Sequence, residues 1–197
     1  CNRTELPVSE VNRKNIPNII CVFRIFLVYP IVILLVQHNF NLALILFIVA
    51  GISDGVDGYL ARKYDWSTEL GGWLDPIADK TLQVSVYIVL SWLGLIPWWL
   101  LAAVILRDIV IVAGGLYYFY KIERVEAAPS LISKLNTVMQ LLLVVIIMVD
   151  KAWYALPIMW IDMLIYAVLA TTILSGVDYV WTWTMKAVRA RAGSAND

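Results

Sequence analysis

Long apolar runs, separated by short polar or charged segments, dominate this chain. The runs cover roughly residues 17–37, 42–63, 69–93, 97–120, 133–149 and 156–184. Each run is close to the length of about 20 residues that an α-helix needs to cross a bilayer. The pattern therefore predicts an all-α, polytopic membrane protein with six transmembrane helices, packed as one domain over residues 17–184.

The two ends of the chain differ from this domain. Within residues 1–16, Val8, Val11 and Ile16 stand among charged residues, a pattern typical of a short helix that lies on the membrane interface. Residues 185–197 are basic and then polar, and we expect this tail to be frayed. The prediction is an N-terminal interfacial segment, a membrane domain and a C-terminal tail.

Composition supports a membrane protein and excludes several other classes. Hydrophobic residues make up 61% of the 197 positions, charged residues only 15%, and mean hydropathy is +0.79. Soluble domains contain about 45–50% apolar residues. The net charge is zero and no basic surface is apparent, so no nucleic-acid partner is expected. Cys1 and Cys21 lack the spacing of a disulfide framework or a zinc site.

The distribution of Lys and Arg predicts the orientation in the membrane. Nearly all of those outside the runs lie in the N-terminus, the 62–68 and 121–134 loops and the C-terminal tail, whereas the alternate loops hold only Lys151. The positive-inside rule then places both termini on the cytoplasmic side. The chain lacks an obvious transit segment, which favours the bacterial inner membrane.

Four aspartates interrupt the second and third apolar runs. Asp54 and Asp57 are spaced i, i+3, whereas Asp75 and Asp79 continue an i, i+4, i+8 stripe from Gly71. An ionised side chain at bilayer depth costs about 2.5–3.5 kcal/mol on insertion scales, so four of them require compensation. Hard carboxylate oxygens suit Mg²⁺, Mn²⁺ or Ca²⁺. The spacing predicts a cytoplasmic-side site for a pair of divalent cations.

Written out, the segment reads Asp54-x2-Asp57-Gly58-x2-Ala61-Arg62-x8-Gly71-x3-Asp75-x3-Asp79. These eight residues at these gaps resemble the full signature of the CDP-alcohol phosphotransferase (CDP-alcohol phosphatidyltransferase) family. The resemblance implies a six-helix membrane enzyme that is active as a homodimer in the lipid bilayer. It also implies a CDP-linked lipid substrate, an alcohol acceptor and two divalent cations, Mg²⁺ or Mn²⁺.

The resemblance assigns roles to individual residues. It implies that Asp54, Asp57, Asp75 and Asp79 bind the metal ions and that Asp79 is also the general base. It implies that the CDP moiety is bound by Asp54, Asp57, Gly58, Ala61, Arg62, Gly71 and Asp75. The small residues among these allow the nucleotide and the neighbouring helix to approach closely.

Further polar residues are weaker candidates for phosphate or acceptor contacts: Asn18, Arg24, Lys80, Arg107, Lys134 and Asn136. Asn18 and the four charged residues also have a structural interpretation. Asn18 would cap the first helix, Arg24 would snorkel to the interface, and Lys134 would anchor the helix by the positive-inside rule. Lys80 would pair with an aspartate, and Arg107 would pair with the adjacent Asp108.

Segments outside the signature indicate the branch of the family. The runs GISDGVDGYLAR and PSLISKLNTVMQ, the LIP link and the Arg107-Asp108 pair resemble the cardiolipin synthases, which join CDP-diacylglycerol to phosphatidylglycerol and release CMP. Phosphatidylglycerophosphate synthases share NIPN and DPxADK but more often carry an aromatic residue at the position of Gly55. Glycerol 3-phosphate is therefore the alternative acceptor.

Two other function classes are less favoured. A membrane prenyltransferase of the UbiA type also uses Asp-rich motifs and Mg²⁺, but it lacks this spacing and generally needs more spans. A cation transporter would use intramembrane acids as a relay. Against it, the acids cluster at one side of the membrane, and no inverted repeat is visible.

Overall fold

The computed structural model describes residues 16–64, 69–121 and 131–193, and every regular element within these segments is an α-helix. The helices are α1 (Ile16–Val36), α2 (Phe40–Tyr64), α3 (Glu69–Trp92), α4 (Trp98–Lys121), α5 (Leu131–Ala152) and α6 (Ile158–Gly193). The all-α prediction is confirmed for this part of the chain. Apart from the end of α6, the helix bounds lie within a few residues of the predicted runs.

The C-terminal end of α6 differs from the prediction. The apolar run ends near residue 184, but the helix continues to Gly193. The added residues are mostly Ala, Arg, Lys and Met, which are good helix formers in water. Glycine is common where a helix ends. Much of the predicted tail is therefore helical, while the predicted interfacial helix within residues 1–16 lies outside the described residues.

Two helices in the described part of the chain are long and apolar enough to cross a membrane. They are α5 and the Ile158–Thr182 portion of α6. Shorter apolar segments, Val22–Val36 and Phe40–Val56, lie in α1 and α2. Large apolar side chains are also exposed on α4, including Leu106. Soluble monomers rarely expose contiguous apolar surface of this kind.

The helices belong to two compact units. Helices α1, α2 and α3 form the first unit together with residues 148–154, which include the end of α5. Helix α4, the remainder of α5 and α6 form the second unit.

The first unit is built on α1, which packs against both α2 and α3. The residues of α1 and α2 that are buried at helical spacing are Leu27, Ile31, Leu35, Ala43, Phe47 and Ala50. A tight turn joins the two helices: His38 adopts a left-handed φ of 59°, and Asn39 Oδ1 accepts from the backbone N–H of Leu42 at 3.4 Å. This N-cap satisfies one of the free donors at the start of α2.

Helix α3 presents a buried stripe of its own. Its members are Ala78, Leu82, Val86, Val89 and Leu90. In the second unit α4 packs against α6. The apolar core of that unit includes Leu100, Val104, Leu143, Val144, Ile165 and Val168. Buried polar residues, among them Arg107, Asn136 and Ser175, accompany this core.

Candidate active site

The eight signature residues lie on two helices of one unit. Asp54 to Arg62 lie in the C-terminal half of α2, and Gly71 to Asp79 lie in the first turns of α3. Both helices pack on α1. The two helices that carry the signature therefore share α1 as a neighbour.

Several candidate residues have helical backbones but side chains outside the described part of the structure. These are Asn18, Asp57, Gly58, Ala61, Arg62, Gly71, Asp75 and Asp79. Their roles remain predictions. Lys80 is half-buried and has an interaction partner, and Ala78, inside the second half of the signature, is fully buried.

Asp54 is the signature aspartate whose side chain the structure describes. Arg24 Nη1 lies 2.7 Å from Asp54 Oδ1. The arginine side chain is 1% exposed, whereas the aspartate side chain is 43% exposed. Arg24 therefore binds a carboxylate of the signature, and the prediction that it contacts phosphate stays untested.

Arg107 is the centre of a second polar cluster, which lies in the other unit. Its Nη1 donates to Asp108 Oδ1 at 2.8 Å, its Nη2 donates to Ser175 Oγ at 2.8 Å, and Nε donates to the same hydroxyl at 3.3 Å. Nη2 also donates to Ser133 Oγ. The ion-pair interpretation of Arg107 is confirmed, and the same guanidinium joins α4, α5 and α6.

A ladder of buried polar side chains continues along α5. Asn136 Oδ1 accepts from Thr172 Oγ1 at 2.9 Å and from Thr171 Oγ1 at 3.0 Å, and Gln140 Nε2 donates to Thr172 Oγ1 at 3.4 Å. Asn136 is fully buried, and its Nδ2 has no hydrogen-bond partner among the residues that the structure describes. Lys134, by contrast, is exposed.

Sequence reasoning missed most of this ladder. A signal for it does exist, because Ser133, Asn136 and Gln140 are spaced i, i+3, i+7 in an otherwise apolar helix. This spacing places three polar side chains on one helix face. Polar residues at such positions in apolar helices commonly bond across to a neighbouring helix.

A cavity of about 460 Å³ lies between α4 and α6. Its walls are mainly aliphatic, with the Trp181 ring among them, and its polar lining residues are Arg107 and Thr172. The cavity therefore adjoins the polar network in the second unit.

Comparisons with known proteins identify the family that the signature resembles. The family model for CDP-alcohol phosphatidyltransferase matches residues 14–188. A rat protein, "Cardiolipin synthase (CMP-forming)", is 34% identical over 72% of this chain and 52% of its own length. An Escherichia coli K12 protein, "CDP-diacylglycerol--glycerol-3-phosphate 3-phosphatidyltransferase", is 33% identical over 90% of this chain and 96% of its own length.

Other similar proteins carry the first of these names. The human "Cardiolipin synthase (CMP-forming)" is 34% identical over 70% of this chain and 51% of its own length. The chain thus spans about half the length of the rat and human relatives. The matched region contains the complete signature and every described helix except the last residues of α6. The chain therefore belongs to the CDP-alcohol phosphatidyltransferase family.

Proposed function

We propose that the protein is a phospholipid-synthesising phosphatidyltransferase. It transfers the phosphatidyl group of CDP-diacylglycerol to a hydroxyl of phosphatidylglycerol and so forms cardiolipin and CMP. The observation that carries the proposal is the complete signature on α2 and α3, two helices that both pack on α1. The printed names of the rat and E. coli relatives support the same reaction class.

The donor chemistry of the signature suits two divalent cations, Mg²⁺ or Mn²⁺. Asp54, Asp57, Asp75 and Asp79 offer only carboxylate oxygens, which are the ligands that these hard cations prefer. The half-exposed Asp54 side chain is accessible to an ion from outside. When bound, the cations neutralise charge on the pyrophosphate and on the leaving CMP.

The proposed reaction is a direct displacement at the phosphatidyl phosphorus, in which residues of the chain move the proton and bind the nucleotide. The acceptor hydroxyl oxygen forms a bond to the phosphatidyl phosphorus while the bond from that phosphorus to the CMP oxygen breaks. Asp79 accepts the hydroxyl proton as the general base. Gly58 leaves room for the nucleotide beside the α2 backbone, and Arg62 contacts the nucleotide or braces the site.

Glycerol 3-phosphate is the alternative acceptor, and it would make the protein a phosphatidylglycerophosphate synthase. Relatives with both kinds of name match this chain at similar identity. The Arg107-Asp108 pair and Gly55 favour phosphatidylglycerol, because they are the features by which the sequence resembles the cardiolipin synthases. Lys134 is exposed at the start of α5 and is a candidate contact for an acceptor phosphate.

The proposed setting is a membrane crossed by all six helices, with both termini and the active site on the cytoplasmic side. The bacterial inner membrane is the proposed location, and a homodimer is the proposed assembly. The exposed apolar side chains of α4 and α6, such as Ile109 and Val177, support contact with lipid. The positions of loop Lys and Arg support the orientation.

CMP release by the purified protein in detergent tests the proposal. CDP-diacylglycerol is supplied with Mg²⁺ or Mn²⁺, and phosphatidylglycerol or glycerol 3-phosphate is added in separate reactions. Mass spectrometry identifies the lipid product. We expect cardiolipin with phosphatidylglycerol and no CMP release after the metal is chelated.

Each other outcome has a definite meaning. Phosphatidylglycerophosphate formed from glycerol 3-phosphate would retain the reaction class and change the acceptor. Absence of metal-dependent CMP release with any alcohol would refute the enzymatic proposal. Cation flux through vesicles containing the protein, without CMP release, would instead support the transporter.

A further inference from the structure

The ion pair between Arg24 and Asp54 is unusually asymmetric. Arg24 lies about two turns into α1 and is almost completely buried, whereas the Asp54 side chain is nearly half exposed. A buried guanidinium needs a counter-ion, because charge is costly to remove from water. Asp54 supplies it through Oδ1 at 2.7 Å. The exposed part of the carboxylate leaves room for a second partner.

The packing of α1 against α2 brings these two residues together. Arg24 continues the buried stripe of α1 that contains Leu27 and Ile31. Asp54 lies one helical turn beyond Ala50, which ends the apolar stripe of α2. The ion pair therefore terminates an apolar helix interface, and that interface holds the guanidinium in place.

A carboxylate that pairs with arginine retains capacity to bind a metal ion. Its two oxygens offer about four lone-pair positions, and the contact from Nη1 to Oδ1 occupies one of them. Carboxylates that bind metals are themselves commonly held by hydrogen bonds from outside the coordination shell. The Arg24 guanidinium stands in that relationship to Asp54.

We propose that Arg24 is a positioning residue that orients the Asp54 carboxylate for a divalent cation. This inference rests on the proposed function, because it takes Asp54 to be a metal ligand. It assigns Arg24 to the aspartate and not to a substrate phosphate. Arg24 thus acts on the reaction through Asp54 and does not touch the reacting atoms.

Removal of Arg24 changes the affinity for the cation in two ways, and these act in opposite directions. Loss of a nearby positive charge would by itself strengthen cation binding, because like charges repel. Loss of the hydrogen bond that orients the carboxylate would weaken it, and removal of such outer partners typically costs about 10–100-fold in metal affinity or activity. We expect the second effect to dominate, because the packed helix interface fixes the guanidinium and through it the orientation of the carboxylate.

The experiment measures Mn²⁺ binding to the purified protein in detergent, without lipid or nucleotide, from the electron paramagnetic resonance signal of free Mn²⁺. Arg24→Gln is expected to bind Mn²⁺ about 10–100-fold more weakly than the wild type. Asp54→Asn should lose at least as much affinity. Lys151→Gln is the matched control. It removes an ammonium group that lies 2.9 Å from the Asp150 carboxylate, outside the signature, and should leave the affinity for Mn²⁺ unchanged.

The outcomes separate this inference from the proposed function. Unchanged or tighter Mn²⁺ binding in Arg24→Gln, with a loss in Asp54→Asn, would overturn the positioning role and leave the metal site intact. A wild type that binds no Mn²⁺ would overturn both. A raised KM for CDP-diacylglycerol with unchanged metal affinity would instead identify Arg24 as a phosphate contact.

Arg24→Lys keeps the test valid if the glutamine variant does not fold. Lysine retains the positive charge but not the planar, rigid donor fork of arginine. We expect this variant to bind Mn²⁺ measurably more weakly than the wild type, with a smaller loss than Asp54→Asn. Wild-type affinity in Arg24→Lys would overturn the inference.

Discussion

Arg107 and Ser175 meet across two helices: two nitrogens of the guanidinium donate to one serine hydroxyl, from Nη2 at 2.8 Å and from Nε at 3.3 Å. The residues are 68 positions apart in the chain, and the serine is fully buried. This contact joins α4 to α6 within an apolar unit. Hydrogen bonds to charged groups contribute more than neutral ones, about 1.5–3 kcal/mol.

Ser175→Ala should destabilise the protein by about 1–3 kcal/mol, because it removes an acceptor from a buried guanidinium. Chemical denaturation of the purified protein in detergent measures the free energy of unfolding. Ser53→Ala is the control, since the Ser53 hydroxyl donates within its own helix, to Val49 O. An equal loss in both variants would contradict the proposed importance of the cross-helix contact.

Thr172→Val should destabilise the protein more than Thr171→Val. Both threonines donate to Asn136 Oδ1, but Thr171 Oγ1 also has the carbonyl of Val168 within 3.0 Å. Thr172 is buried and also accepts from Gln140. We expect a loss of about 1–3 kcal/mol for Thr172→Val, because it removes two hydrogen bonds from a buried network, one to Asn136 and one from Gln140. A larger loss of stability for Thr171→Val would contradict the greater importance of the Thr172 contacts.

Arg107→Leu should destabilise the protein by about 3–5 kcal/mol, because it leaves the buried Asp108 carboxylate without the Arg107 contact. The double variant Arg107→Leu/Asp108→Leu should lose less than the sum of the two single variants. The coupling energy from this double-mutant cycle is expected to lie at about 0.5–3 kcal/mol. Strict additivity would contradict a coupled pair.

Asp79→Asn should abolish turnover while preserving the fold. General-base catalysis contributes about 10²–10⁴-fold to rate, so a loss of at least this size is expected in CMP release. Circular dichroism checks that helical content is retained. Asp162→Asn, at an exposed position of α6 outside the signature, should leave the rate unchanged. A near-normal rate in Asp79→Asn would refute its assignment as the base.

Sequence patterns predicted the helices well because helix position depends on local spacing. Apolar run length and flanking polar residues located α1 to α5 to within a few residues. The end of α6 was missed because the run's hydropathy falls near residue 184 while helix propensity persists to Gly193. Hydropathy and helix propensity are different properties, and the helix follows the second beyond the apolar run.

The all-α class and the family follow from the amino-acid sequence, because both depend on residue types at short, fixed separations. The partners of the buried charges follow from how the helices pack. The sequence allows Arg24 to contact phosphate or to snorkel to the interface. The packing of α1 against α2 brings its guanidinium to Asp54. For Arg107 the sequence leaves open a phosphate contact or an ion pair with its neighbour Asp108, and Ser133 and Ser175 join it only because α5 and α6 present their polar faces there. Such contacts depend on which helix faces meet and how far a long side chain reaches, and linear spacing does not contain that information.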